Sequence, residues 1–63
     1  MDTKLLTLSE TAERLRKTES QLRWLITQRK APASALIGGR RMFRESDIER
    51  FIDEAFESAS ATA

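Results

Sequence analysis

Between Lys17 and Phe43 this chain has little freedom in the shape it can take. Thr18-Glu19-Ser20-Gln21 is a capping box, in which the Thr18 hydroxyl accepts from the amide three residues on and Gln21 reaches back. The helix it opens carries Leu22, Leu25 and Ile26 on one face and runs to about Arg29. Pro32 cannot continue that helix, so Ala31-Pro32-Ala33-Ser34 becomes a short extended connection. Ala35-Leu36-Ile37 and Arg41-Met42-Phe43 then read as two brief strands around Gly38-Gly39-Arg40. A two-residue turn at Gly38-Gly39 pairs Ile37 with Arg40, whereas a three-residue loop pairs Ile37 with Arg41. The three-residue loop is favoured, because it puts Ala35, Ile37 and Phe43 on one face and leaves Leu36 and Met42 on the other.

The elements on either side complete a small domain. Leu5-Leu6 is a short apolar pair, and Thr7-Leu8-Ser9-Glu10 is another capping box. Leu8, Ala12 and Leu15 lie at helical spacing, which predicts a first helix of about two turns. Ala12 is small enough for a second helix to approach closely, and Arg16-Lys17 is the turn between them. Ile48, Phe51, Ile52, Ala55 and Phe56 form the apolar stripe of a last helix from about Glu45 to Phe56. Glu45 and Asp47 in its first turn complement the helix dipole. Ser58 to Ala63 has nothing to bury and is expected to be a disordered tail. The expected fold is a small α+β winged helix-turn-helix: two helices, a β-hairpin wing and a third helix, with one domain over residues 1–57.

Composition removes most alternatives. At 63 residues the chain is near the lower limit for folding alone, without room for a walled enzyme pocket. It has no cysteine and no histidine, so disulfides, thiolate chemistry, imidazole catalysis and the common zinc sites are excluded. The carboxylates crowd one helix at solvent spacing, and no nucleophile–base pair or metal cluster can be assembled. The expectation is a non-enzyme with neither cofactor nor metal. No apolar run is as long as a membrane span and no secretory signal is seen, so the expected compartment is the cytoplasm.

The net charge of +1 conceals a division. Residues 1–44 carry ten basic and four acidic side chains, while residues 45–63 carry one basic and six acidic. That dipolar layout reads as solvated surface charge or as a polyanion-binding body with an acidic end; the basic residues fall on groove-sized elements, which favours the second.

Those elements supply the candidate contacts to duplex DNA. At about 100° per residue, Ser20, Arg23, Trp24 and Thr27 point broadly away from the apolar face of the second helix. Glu19 and Arg23 are one turn apart and can form an ion pair on the surface. They can equally read base edges, with Arg23 donating to guanine and Glu19 accepting from cytosine or holding Arg23 in place. Ser20 and Thr27 suit phosphate or base contacts, and Lys17 and Thr18 stand at the helix start. Arg40 and Arg41 sit beside a Gly-Gly tip as ordinary turn residues, or as a wing that enters a minor groove or grips phosphate. Gly38 and Gly39 let the backbone approach the duplex closely; Lys17, at the turn, and Lys30, just past the helix, either touch phosphates on the two sides of the groove or serve as solubility charges. Trp24, the sole tryptophan, is expected to pack beneath a neighbouring element in preference to the alternative, direct contact with DNA. Leu36 and Met42 either cover the core edge or offer a surface to a neighbouring protein.

The runs LTLSETAERL, RWLI, a proline and then IGGRRMFRESDIERFI resemble the excisionase group of winged helix-turn-helix proteins, a neighbour of the MerR-like and AlpA-like DNA-binding domains. The resemblance covers about residues 5–56. Around Glu19, Arg23, Trp24, Pro32 and Phe43-Arg44-Glu45-Ser46 it is similar to the lambda-type phage excisionases without gaps. It implies a recombination directionality factor, a protein that binds and bends attachment-site DNA and helps an integrase drive excision in a bacterial host. By position, Glu19 and Arg23 match the group's major-groove residues. The wing departs, since Leu36 and Gly39 stand where the lambda-type proteins are basic. Expected partners are double-stranded DNA, a phage integrase and further copies of the chain side by side on DNA. An AlpA-type transcriptional regulator on a promoter would use similar residues. An adaptor that uses the acidic helix alone, with no DNA role, is the rival from another class.

Overall fold

The computed structural model describes residues 4–62, and the side chains of residues 4–60 within them. Residues 1–3 and 63, at the two ends of the expected domain and tail, lie outside the described residues. The order of elements is β1 (Leu5–Thr7), α1 (Leu8–Arg14), α2 (Glu19–Thr27), β2 (Ser34–Ile37), β3 (Arg40–Arg44) and α3 (Glu45–Thr62). The fold is a small α+β winged helix-turn-helix, with a hairpin wing that belongs to a three-stranded antiparallel sheet ordered β1-β3-β2. None of its described helices is long and apolar enough to cross a membrane.

Both capping boxes form. Thr7 Oγ1 accepts from the Glu10 amide at 3.1 Å, and Glu10 Oε1 accepts from the Thr7 amide at 2.9 Å. Thr18 and Gln21 repeat the exchange at 3.1 and 2.9 Å. Each box satisfies amides that a helix start otherwise leaves bare.

The two helices also end alike. Arg16 and Arg29 take the left-handed conformation, at φ 58° and 57°. The amide after each then donates to the carbonyl five residues back, Lys17 to Ala12 at 2.8 Å and Lys30 to Leu25 at 2.9 Å. This is the paired closure that usually recruits glycine. It ends α2 at Thr27, before the predicted end at Arg29.

Strand β1, read from the sequence only as an apolar pair, binds β3 through Leu5↔Arg44, Leu6↔Phe43 and Thr7↔Met42. The wing pairs Ser34↔Phe43, Ala35↔Met42, Leu36↔Arg41 and Ile37↔Arg40. The hairpin therefore turns on Gly38-Gly39 alone, and the three-residue loop expected from the sequence is not formed. Gly38 at φ 62° and Gly39 at φ 82° supply the two positive φ angles that a tight hairpin turn requires. Because side chains alternate along a strand, the changed register moves Leu36 onto the Phe43 face and separates it from Met42.

The core consists of Leu6, Ala12, Leu22, Phe43 and Ile48, with Leu8, Leu15, Ile26, Ala31 and Ile52 packed around it. Thr11 is fully buried beside them, and its hydroxyl has no partner. An ion pair at 2.7 Å between Arg14 and Glu45 ties α1 to the start of α3.

Two expectations fail at the surface. Trp24 is 59% exposed instead of packed beneath another element. It lies two residues from both Leu22 and Ile26, hence about 200° around the helix from each. The apolar stripe of α3 is only partly covered: Ile48 is buried, whereas Ala55 is exposed and Phe56 is 70% exposed. The helix nevertheless runs on to Thr62, through the segment expected to be a disordered tail. Alanine, at positions 59 and 61 of that segment, favours helix intrinsically.

Candidate nucleic-acid interface

The second helix and the wing present their polar residues to one side of the molecule. Glu19 and Arg23 of α2 line a cleft of about 580 Å³ together with Leu36, Gly39, Arg40 and Arg41 of the wing. Its remaining wall is Thr7, Leu8, Ser9 and Met42. The geometry follows from local structure. The capping box at Thr18 fixes where α2 begins, and its apolar side, Leu22 and Ile26, turns to the core. The tight glycine turn then leaves the arginines of β3 opposite Glu19 and Arg23.

Arg23 is well exposed and stands 3.6 Å from Glu19, one turn back. That separation gives attraction without a hydrogen bond. Arg40 is exposed at the foot of the turn. Arg41 is half-buried, and its Nη1 donates to Ser34 Oγ at 2.7 Å, so part of its guanidinium is already engaged within the wing. Gly38 and Gly39 have open space where a Cβ would stand, which keeps the tip of the wing narrow.

The other candidates lie around α2. Thr18 Oγ1 is the acceptor for the Gln21 amide, leaving its proton for another partner. Thr27 Oγ1 donates to the Trp24 carbonyl at 2.6 Å; in that state it can accept from a base but cannot donate to phosphate. Ser20 is exposed. Lys17, Ser20, Gln21, Trp24 and Leu25 surround a separate shallow depression on the side of α2 away from the wing cleft. Lys30 is exposed just past α2.

The structure therefore unites Glu19, Arg23, Gly39, Arg40 and Arg41 in one cleft. It sets Lys17 and Ser20 beside Trp24, and places Thr18 and Thr27 at the ends of the helix. Leu36, 66% exposed, and Met42 both line the cleft, but the register places them on opposite faces of the hairpin, which corrects the expectation that they share one face of the wing. Thr7, Leu8 and Ser9 were not anticipated there. Only their place at the start of the first helix could have suggested it.

A helix-turn-helix with a basic hairpin beside its second helix is the architecture of a DNA-binding module. The model of the helix-turn-helix domain family matches residues 5–55. The chain belongs to that family, and the membership indicates duplex DNA as its ligand. Comparison with curated proteins and with solved structures gave no match.

Proposed function

We propose that this protein is a phage excisionase: a sequence-specific, architectural DNA-binding protein that directs integrase-mediated excision. The observation that carries the DNA-binding part is the shared cleft, in which helix and wing side chains face the same way. A helix with its side chains is about 10–12 Å across, and a major groove is about 12 Å wide. Helix α2 lies in that groove, with Arg23 and Glu19 at base edges. The wing reaches the flanking minor groove, where Arg40 meets the negative potential or a phosphate.

The reading as an excisionase is supported by the resemblance of residues 5–56 to that group, above all around Glu19, Arg23, Trp24, Pro32 and the run from Phe43 to Ser46. One protomer covers too little DNA for high specificity alone, so several protomers occupy neighbouring sites and bend the duplex. Smooth bending of a 20–30 base-pair site costs on the order of 1–6 kcal/mol, which the added phosphate contacts offset. The protein works beside an integrase in the bacterial cytoplasm, does no chemistry and needs no cofactor.

The deciding experiment is a mobility-shift titration over an attachment region, with and without integrase. Excisionase function requires bound and bent attachment DNA and a change in the integrase complex. Binding to a promoter with indifference to integrase would assign the protein to the AlpA-type regulators instead.

A further inference from the structure

We infer that Trp24 and Lys17 form a second, sequence-independent DNA contact that holds the sugar–phosphate wall of the major groove on the side away from the wing. The inference rests on the DNA-binding reading above and adds to it a site on the opposite flank of the same helix.

Three observations carry it. First, the only tryptophan in the chain is 59% exposed, on the polar arc of the helix and far from the core. Second, the flanks of α2 differ. Glu19 and Arg23 line the wing cleft, whereas Lys17, Ser20, Gln21, Trp24 and Leu25 line a depression that shares no residue with it. A helix seated in a major groove of matching width meets a backbone wall on each flank. The wing arginines stand on one flank, and Trp24 with Lys17 stands on the other. Third, the chemistry of the depression suits a sugar–phosphate strand. It offers the apolar faces of Trp24 and Leu25, the indole N–H (a donor only), the Lys17 ammonium and the Ser20 hydroxyl, and no carboxylate. A deoxyribose lies against the indole, while phosphate oxygens accept from the indole N–H and from Lys17.

Because Trp24 is the sole tryptophan, its emission reports on this contact alone. The probe is a fluorescently labelled 30-base-pair duplex of random sequence at low salt, with label anisotropy to measure binding and acrylamide quenching to measure Trp24 exposure. In the complex, Trp24 is shielded from acrylamide. Trp24→Ala weakens binding roughly tenfold, the loss of one apolar contact and one hydrogen bond, and leaves the salt dependence unchanged because no charge is removed. Lys17→Ala weakens binding and lowers the slope of log K against log salt by about one phosphate contact. Circular dichroism checks that Trp24→Ala is folded, and the quenching arm needs no variant.

A wild-type complex in which Trp24 stays as accessible as in the free protein overturns the inference and leaves the DNA-binding reading intact. So does a Trp24→Ala protein with unchanged affinity for random DNA. Absence of any anisotropy change for the wild-type protein overturns the DNA-binding reading itself, and this inference with it.

Discussion

The Arg23 guanidinium stands 3.6 Å from the Glu19 carboxylate, near enough to be steered and too far to be held. An exposed pair of this spacing on a helix contributes about 0.3–0.5 kcal/mol. A bidentate Arg–guanine contact discriminates by about 1–3 kcal/mol. On the proposed reading, a guanine would therefore win the guanidinium from Glu19 at small cost. Arg23→Ala should lower affinity for the preferred site by roughly 1–3 kcal/mol while scarcely changing the melting temperature. A titration against preferred and random duplexes checks this, and an equal loss on both would reduce Arg23 to a phosphate contact.

The glycine turn separates conformational from steric cost. Beyond their own chain neighbours, Gly38 and Gly39 have open space where a Cβ would stand, so only the positive φ penalises a side chain. Gly38→Asn preserves a favoured tight-turn pair and should fold as well as the parent. Gly39→Val places a β-branched residue at φ 82° and should destabilise by about 1–3 kcal/mol. Urea unfolding of the two variants tests the contrast.

Thr11 is buried with an unpartnered hydroxyl. Thr11→Val keeps the shape and removes the buried polar group, for a gain of about 1 kcal/mol. In a domain of this size that raises the melting temperature by roughly 4–8 °C. A lowered melting temperature would show that the hydroxyl has a role in the folded state.

The two capping boxes differ in one respect that pH exposes. Glu10 accepts the Thr7 amide, and that bond, aided by the Thr7 hydroxyl and by Lys4 and Arg14, holds its carboxyl below the ordinary value of 4.5. A carboxylate whose pKa is depressed on folding contributes stability that is complete above the unfolded value and lost as pH falls through the folded one. Gln21 fills the same place in the box of α2 and does not titrate. Acidification below about pH 4.5 should weaken the start of α1 and spare this feature of α2. Glu10→Gln should flatten the acid limb of a melting-temperature profile; an unchanged limb would assign acid sensitivity to other carboxylates.

Much of this was readable in the residues, and the failures have definite causes. Thr7 with Glu10, Thr18 with Gln21 and Pro32 marked element boundaries because each acts over four residues or fewer. Three residues of β1 are too few for alternation to register, and its strand character comes from pairing with β3. The wing register turned on whether Arg40 joined the loop. The Gly-Gly preference for tight hairpins outweighed the neater apolar face that the longer loop offered, and Leu36 moved with it. For Trp24 the angular position was read correctly, but the expectation of a covering element was not met. Helix propensity in the small-residue segment carried α3 past its apolar stripe. The grouping of Glu19, Arg23, Arg40 and Arg41 followed from element order, whereas the presence of Thr7, Leu8 and Ser9 beside them depended on the packing of α1.

Helix α3 carries all six carboxylates of residues 45–63, and none of its residues lines the wing cleft. A rod of eighteen residues is about 27 Å long, roughly three-quarters of a turn of duplex. A polyanion drifting toward this molecule is drawn to one end and repelled along the other. Such a layout would turn the molecule into alignment before contact, as a weathervane turns in wind. Neutralising Glu49, Asp53, Glu54 and Glu57, which lie outside the Arg14–Glu45 and Arg44–Asp47 ion pairs, would raise the net charge from +1 to +5 and quicken arrival, most visibly at low ionic strength, while removing the repulsion that orients it.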